Sequence, residues 1–209
     1  MDFHAARQNM VESQVRVNDV TDPGLQLAMR HIQRERLSAP GQGFSAYGEV
    51  ETPVAPGRGL MKPRDISKLL QLTEPKAGET VLALAAPYAA AVLQHAGLTV
   101  TAQESDPRVM SVVEPYLREL GVTCVTADLK TVTGGDYDIV IVEGAVAEVP
   151  ASWLSAVKVG GRLAVVLKDG PVGHARLYLR LESGFSEREA FDSQPSILPG
   201  FQRTPTFEF

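Results

Sequence analysis

From residue 80 onward, short runs of β-branched and aliphatic residues alternate with helical stretches, and this alternation constrains the fold more than any other feature. Thr80–Leu84 (TVLAL), Leu98–Glu104, Val122–Thr126, Tyr137–Glu143 (YDIVIVE) and Gly161–Leu167 (GRLAVVL) read as strands. Between them, helices are expected over Ala89–His95, after Asp106-Pro107, and over Trp153–Val157. The helix after Asp106-Pro107 turns Val109, Val113, Tyr116, Leu117 and Leu120 inward. Strands that alternate with helices imply parallel pairing through right-handed crossovers. YDIVIVE is the most continuous apolar run, as expected of a central strand buried on both faces. A helix over residues 174–183 and two terminal strands, Ser186–Asp192 and Thr204–Phe209, are expected to give an antiparallel finish. The expected class is therefore α/β: a doubly wound, mostly parallel seven-stranded sheet with an antiparallel last strand.

The first 75 or so residues have a different rhythm. Residues 5–16 read as an amphipathic helix with Ala6, Met10, Val11 and Val15 on one face. Asp22-Pro23 is an N-cap and first-turn pair that opens a helix carrying Leu25, Met29 and Ile32. Residues 38–60 are rich in glycine and proline and read as one long loop, a length usually tied to function or disorder. Pro63 starts a helix with Ile66, Leu69, Leu70 and Leu72. The division expected is a helical cap and loop over 1–75 and a sheet domain over 76–209, together one compact unit.

Composition excludes several classes of function. The chain has 209 residues, a formal net charge of −5 and a single cysteine. Cys124 has no partner for an internal disulfide or a C-x-x-C pair, and it is expected to be buried and inert. The four histidines show no metal-ligand spacing, so no metal is expected. No run approaches the roughly 18 apolar residues of a membrane span, and MDFHAARQNM lacks an apolar signal core. A cytoplasmic protein is expected, with neither membrane nor nucleic acid as partner. Trp153 is expected to anchor the core. The tail LPGFQRTPTFEF is expected to close the sheet edge, where an aromatic strand could pair with a second chain to form a dimer.

A sheet of this kind places its ligand crevice at the carboxyl ends of its first strands. Glu104 ends the second strand, where a carboxylate can accept from both hydroxyls of a ribose, or simply face solvent. Asp128 follows the third strand, as an acceptor for a purine amino group or as a turn cap near Thr131. The fourth strand ends at Glu143-Gly144. The first turn is anomalous. Glycines let the backbone approach a ligand closely there, yet none lies between Gly78 and Gly97. The turn reads Leu-Ala-Ala-Pro-Tyr-Ala. Its methyls occupy ligand space, Pro87 removes an N–H, and a positive φ disfavours each non-glycine residue by about 1 kcal/mol or more.

With these positions in place, the chain resembles the protein-L-isoaspartate O-methyltransferases over nearly its whole length. ARQNMVESQVRVNDVTDPGLQLAMRHIQRERL resembles that family's opening helices, and GRGLMKPRDISKLLQL stands in its substrate-side segment. AGETVLAL resembles the entry to the first cofactor strand; YDIVIVEGAVAEVP and VGGRLAVVL resemble the fourth and fifth strands. The resemblance implies a Rossmann-like methyltransferase fold with S-adenosylmethionine as cofactor. It also implies methyl transfer to the carboxylate of isoaspartyl residues in damaged proteins, so the partner would be a protein or peptide carrying such residues. It places Ala85, Pro87, Tyr88, Glu104, Ser105, Asp128, Leu129 and Glu143 along the cofactor. No catalytic side chain is implied, because a carboxylate is already a nucleophile and a sulfonium an activated leaving group; orientation and a dry pocket suffice.

The departures are local. The glycine turn is gone and looks about two residues short, and Ala83 replaces a late acid of the first strand. Gly59 and Met61 stand at the substrate segment's hydroxyl positions, and Glu143 stands where many members carry a small or hydroxyl residue. Two readings follow. One is an active carboxyl methyltransferase with an unusual turn. The alternative is a catalytically inactive methyltransferase-fold protein acting as a binding or regulatory partner.

Overall fold

A computed structural model describes residues 1–203 of the chain. The cap begins with α1 (Phe3–Met10), capped by the Asp2 carboxylate accepting from Ala5 N–H. It runs on through a π-helical turn at Val11–Val15 and a 3-10 turn at Arg16–Asn18, so the expected helix is continuous but irregular. α2 (Pro23–His31) starts at Asp22, whose carboxylate accepts from Leu25 N–H. The segment expected to be a single long loop contains a hairpin, β1 (Thr52–Ala55) and β2 (Arg58–Leu60). Pro56-Gly57 makes its turn, with Gly57 at φ 74°, a conformation open to glycine at little cost. α3 (Pro63–Leu72) follows as expected.

The sheet region follows the alternation read from the sequence: β3 (Thr80–Leu84), α4 (Pro87–His95), β4 (Thr99–Glu104), α5 (Pro107–Glu119), β5 (Thr123–Thr126), β6 (Tyr137–Val146), α6 (Ala151–Ser155) and β7 (Val157–Leu167). Residues 174–183 depart from expectation. They form a strand, β8 (His174–Leu181), hairpinned to β9 (Gly184–Asp192). The physical reason is the period. HARLYLRL alternates strictly, sending Ala175, Leu177 and Leu179 to one face and Arg176, Tyr178 and Arg180 to the other. Two residues then suffice to turn from Leu181 to its partner Gly184.

The seven strands lie in the order β5-β4-β3-β6-β7-β8-β9. The first five pair in parallel and the last two antiparallel. Chain order reverses between β3 and β6, which sets a crevice beyond their carboxyl ends. β6 divides the core by parity. Ile139 and Ile141 join the side built from the cap, α4 and α5, whereas Val140 and Val142 join Trp153, Leu163 and Val165. Met10, Met29 and Ile66 of the cap share one hydrophobic cluster with Val81 and Tyr88 of the sheet domain.

The described part of the tail does not close a sheet edge. Ser196–Leu198 crosses the end of β6, with Ala145 N–H donating to Ser196 O at 3.1 Å and Leu198 N–H to Ala145 O at 2.8 Å. Phe201 then packs on Trp153 at 5.2 Å between ring centroids. The expected strand Thr204–Phe209 lies outside the described residues. Trp153 is fully buried, and Cys124 is half-buried rather than buried, because short β5 lies at one edge of the sheet. No helix among the described residues is long and apolar enough to cross a membrane.

Candidate functional site

The crevice at the carboxyl ends of β3, β4 and β6 is filled by the chain itself. The turn after β3 holds one non-glycine residue in a conformation that favours glycine. Ala85 sits at φ 50°, in the left-handed region, and its N–H donates to Gln103 O at 2.9 Å. Such a conformation costs a non-glycine residue roughly 1–2 kcal/mol. Ala85, Ala86, Pro87 and Tyr88 are all buried. Beside them, between the turn, Ala102, Glu104 and α5, remains a cavity of about 10 Å³. That is on the order of one water; small-ligand sites run to about 300–1,000 Å³.

Two carboxylates flank the crevice, Glu104 at the end of β4 and Glu143 three residues before the end of β6, and both are turned onto the protein. Glu104 is buried at the end of β4. Its Oε1 accepts from the N–H groups of Ser105 (2.8 Å) and Asp106 (3.0 Å). Its Oε2 accepts from Arg58 Nη2 at 2.7 Å. The same Arg58 nitrogen donates to Ala85 O at 3.1 Å, so one guanidinium ties the β1–β2 hairpin to both the β3 turn and the end of β4. Their side chains are 6% and 5% exposed, which makes this a buried ion pair.

Glu143 forms the second tie. It is fully buried in β6 and accepts from Met61 N–H at 3.0 Å and Tyr88 N–H at 3.1 Å. Burial pushes its carboxyl above the usual range, while the nearby Arg34 charge and the two N–H donors pull the other way. Arg34 completes the seal. It donates through Nε to Ala46 O and through Nη2 to Met61 O, both at 2.8 Å. Its guanidinium carbon lies 4.2 Å from the centroid of the Tyr88 ring. Burial likewise raises the Tyr88 hydroxyl, whose oxygen has no hydrogen-bond partner among the described residues.

The remaining candidate positions have structural partners. Asp128 is exposed; its Oδ1 accepts from Lys130 N–H at 2.9 Å and its carbonyl from Gln103 Nε2 at 2.8 Å, a turn held by side chains. Leu129 is buried, and its carbonyl accepts from Trp153 Nε1 at 2.6 Å. Ser105 is exposed, and its N–H is spent on Glu104. Thus Ala85, Pro87, Tyr88, Glu104 and Glu143 converge on the closed crevice, while Asp128 and Leu129 belong to the turn beside it. Sequence reasoning did not single out Arg58, and it marked Arg34 only as part of the opening-helix resemblance, with no role at the site. One signal was available: Arg58 is flanked by Gly57 and Gly59, and a Cβ at Gly59 would stand 3.1 Å from Thr52 O, so the hairpin can close tightly behind the arginine.

No family model matches the chain. Curated relatives do. It is 28% identical over 204 residues to the protein-L-isoaspartate O-methyltransferase of Methylorubrum extorquens, covering 93% of this chain and 87% of the relative. It is 27% identical over 186 residues to protein-L-isoaspartate O-methyltransferase 2 of Shewanella sediminis, covering 86% and 76%. Among solved structures, one named protein-L-isoaspartate O-methyltransferase superposes with a TM-score of 0.79 at 19% identity; the match covers 93% of this chain and 66% of that longer one, under two thirds. A Plasmodium falciparum protein of that name, in complex with S-adenosyl-L-homocysteine, superposes with a TM-score of 0.73 at 12% identity, covering 92% and 97%. At these identities the two structures establish the fold, a Rossmann-like methyltransferase sheet.

Proposed function

We propose, for a chain homologous over most of its length to the protein-L-isoaspartate O-methyltransferases, that the methyltransferase frame is kept while S-adenosylmethionine chemistry is not, and that the protein acts as a binding or regulatory partner. S-adenosylmethionine is the cofactor to which the homology points. The residues of this crevice do not fit it. The observation that carries the reading is the buried Arg58–Glu104 pair: Glu104, the acceptor suited to a ribose, spends both oxygens on the protein's own donors.

Two further features support it. A cavity of about 10 Å³ beside the turn has no room for an adenosyl group. Pro87 offers no N–H, and Tyr88 N–H is bonded to Glu143, so the turn presents few free donors to a ligand. Methyl transfer needs the sulfonium held in line with a carboxylate in a water-excluded pocket. A crevice packed with Arg58, Ala85 and Tyr88 crowds that alignment; the cleft of about 940 Å³ that Arg58 also lines, with Gly57, Gly59, Arg108 and Ile197, includes none of Ala85, Tyr88 or Glu104.

The deciding experiment is calorimetric titration with S-adenosylhomocysteine. No heat at millimolar ligand is expected. Micromolar binding would overturn the reading and restore the second one, an active carboxyl methyltransferase whose β1–β2 hairpin lifts to free Glu104. The retention of Glu104 itself favours that second reading. Methyl transfer to an isoaspartyl peptide would then test it.

A further inference from the structure

The β8–β9 hairpin carries a group of side chains remote from the crevice. His174 opens β8 directly opposite Asp192, the last residue of β9. Its Nδ1 lies 2.9 Å from Asp192 Oδ1 and 3.4 Å from Glu189 Oε1. Glu189 and Asp192 are three apart, and in an unbroken strand an odd spacing sends side chains to opposite faces. Here the pairing passes from Ala175–Phe191 to Arg176–Glu189, leaving Ala190 as an extra residue. This bulge cancels one step of the alternation and turns Glu189 onto the face of His174 and Asp192. One donor atom from each of the three lies within 4.8 Å of the others.

A histidine–aspartate pair alone would need neither the bulge nor a second carboxylate. Adjacent ligands about a metal with bonds of about 2.1 Å stand roughly 3–3.5 Å apart; each carboxylate lies at about that separation from the imidazole nitrogen, and the two carboxylates lie within 4.8 Å of each other. Arg176 bonds Glu187 and approaches Glu189 through Oε2 at 3.5 Å, which leaves Oε1 turned toward the imidazole. We propose that His174, Glu189 and Asp192 form a binding site for a first-row divalent metal ion such as zinc. Two carboxylates and a neutral imidazole match a divalent charge, and the nitrogen ligand favours zinc over the oxygen-seeking magnesium and calcium. The side chains are 29%, 53% and 73% exposed, so water completes the coordination. The ion ties β9, which among the described residues pairs only with β8, at the end of the hairpin opposite its turn. Ligand spacing along the sequence conceals the site, because strand pairing and a bulge assemble it.

The test is calorimetric titration of zinc chloride into the full chain and into His174→Ala, Glu189→Gln and Asp192→Asn. One equivalent of zinc should bind, each substitution should weaken it about tenfold or more, and magnesium should give no heat. Zinc should also raise the melting temperature of the unsubstituted chain and not of the variants. Glu189 and Asp192 are largely exposed, so Glu189→Gln and Asp192→Asn should melt with the unsubstituted chain when zinc is absent. No binding at millimolar zinc would overturn the proposal. So would binding untouched by the three substitutions but lost in His31→Ala or His95→Ala, whose rings stack at 5.1 Å.

Discussion

Replacing Arg58 by Ala probes the closed crevice directly. The Arg58 and Glu104 side chains are 6% and 5% exposed and 2.7 Å apart. Removing one partner of a buried pair costs about 3–5 kcal/mol, because the other charge stays buried. Glu104 Oε1 keeps its Ser105 and Asp106 donors, which pulls the expectation to the lower end, about 3 kcal/mol. Loss of the donor to Ala85 O adds about 1 kcal/mol. With a urea slope of about 1–3 kcal/mol/M, the unfolding midpoint should fall by about 1–4 M. A double variant, Arg58→Met with Glu104→Gln, removes both charges while keeping an acceptor for the two N–H groups, and should be more stable than Arg58→Ala. The assay is equilibrium urea unfolding followed by circular dichroism. A loss below about 1 kcal/mol in Arg58→Ala would refute the buried tie, as would additive effects of the two double-variant substitutions made singly. S-adenosylhomocysteine should still not bind Arg58→Ala, since the methyls of Ala85 and Ala86 and the ring of Pro87 remain in the crevice.

Two other outcomes follow from the same geometry. Burial raises the Glu143 carboxyl above its ordinary 4.5, so the folded state holds that proton more tightly than the unfolded state does. Its contribution is then fully present below about pH 4.5 and is lost as pH rises through the raised value. The stability of the unsubstituted chain minus that of Glu143→Gln, from urea unfolding across pH 4–8, should therefore fall with rising pH; a flat or rising difference counts against the assignment. Trp153→Phe should destabilise by about 1–3 kcal/mol, because the Leu129 carbonyl loses its indole donor while the ring volume is largely kept; thermal unfolding reads this.

Much of the sheet could be read from local pattern. TVLAL, YDIVIVE and GRLAVVL form the parallel β3–β6 and β6–β7 pairs as expected, because an apolar run bounded by turns specifies a doubly buried strand with little outside help. HARLYLRL misled because leucines two apart beside arginines can be read on a short helix or on a strand, and Gly184 arbitrates only once the hairpin turn is recognised. The long loop misled in another way. Thr52–Leu60 is too short and too rich in proline and glycine to announce a hairpin, and its order comes from Arg58 and the adjoining Met61 bonding Glu104 of β4 and Glu143 of β6.

The sequence by itself determined the layered frame and the missing glycines of the first turn. Both are written in residues adjacent along the chain, where periodicity and φ preference act locally. It also marked Glu104 and Glu143 as strand-end carboxylates. Only the tertiary structure decided what they face: Arg58 is 46 residues from Glu104, and Met61 is 82 from Glu143. The His174, Glu189 and Asp192 cluster came from a bulge in the same way. A buried charge must find its partner wherever the fold brings one, and no local pattern encodes that distance.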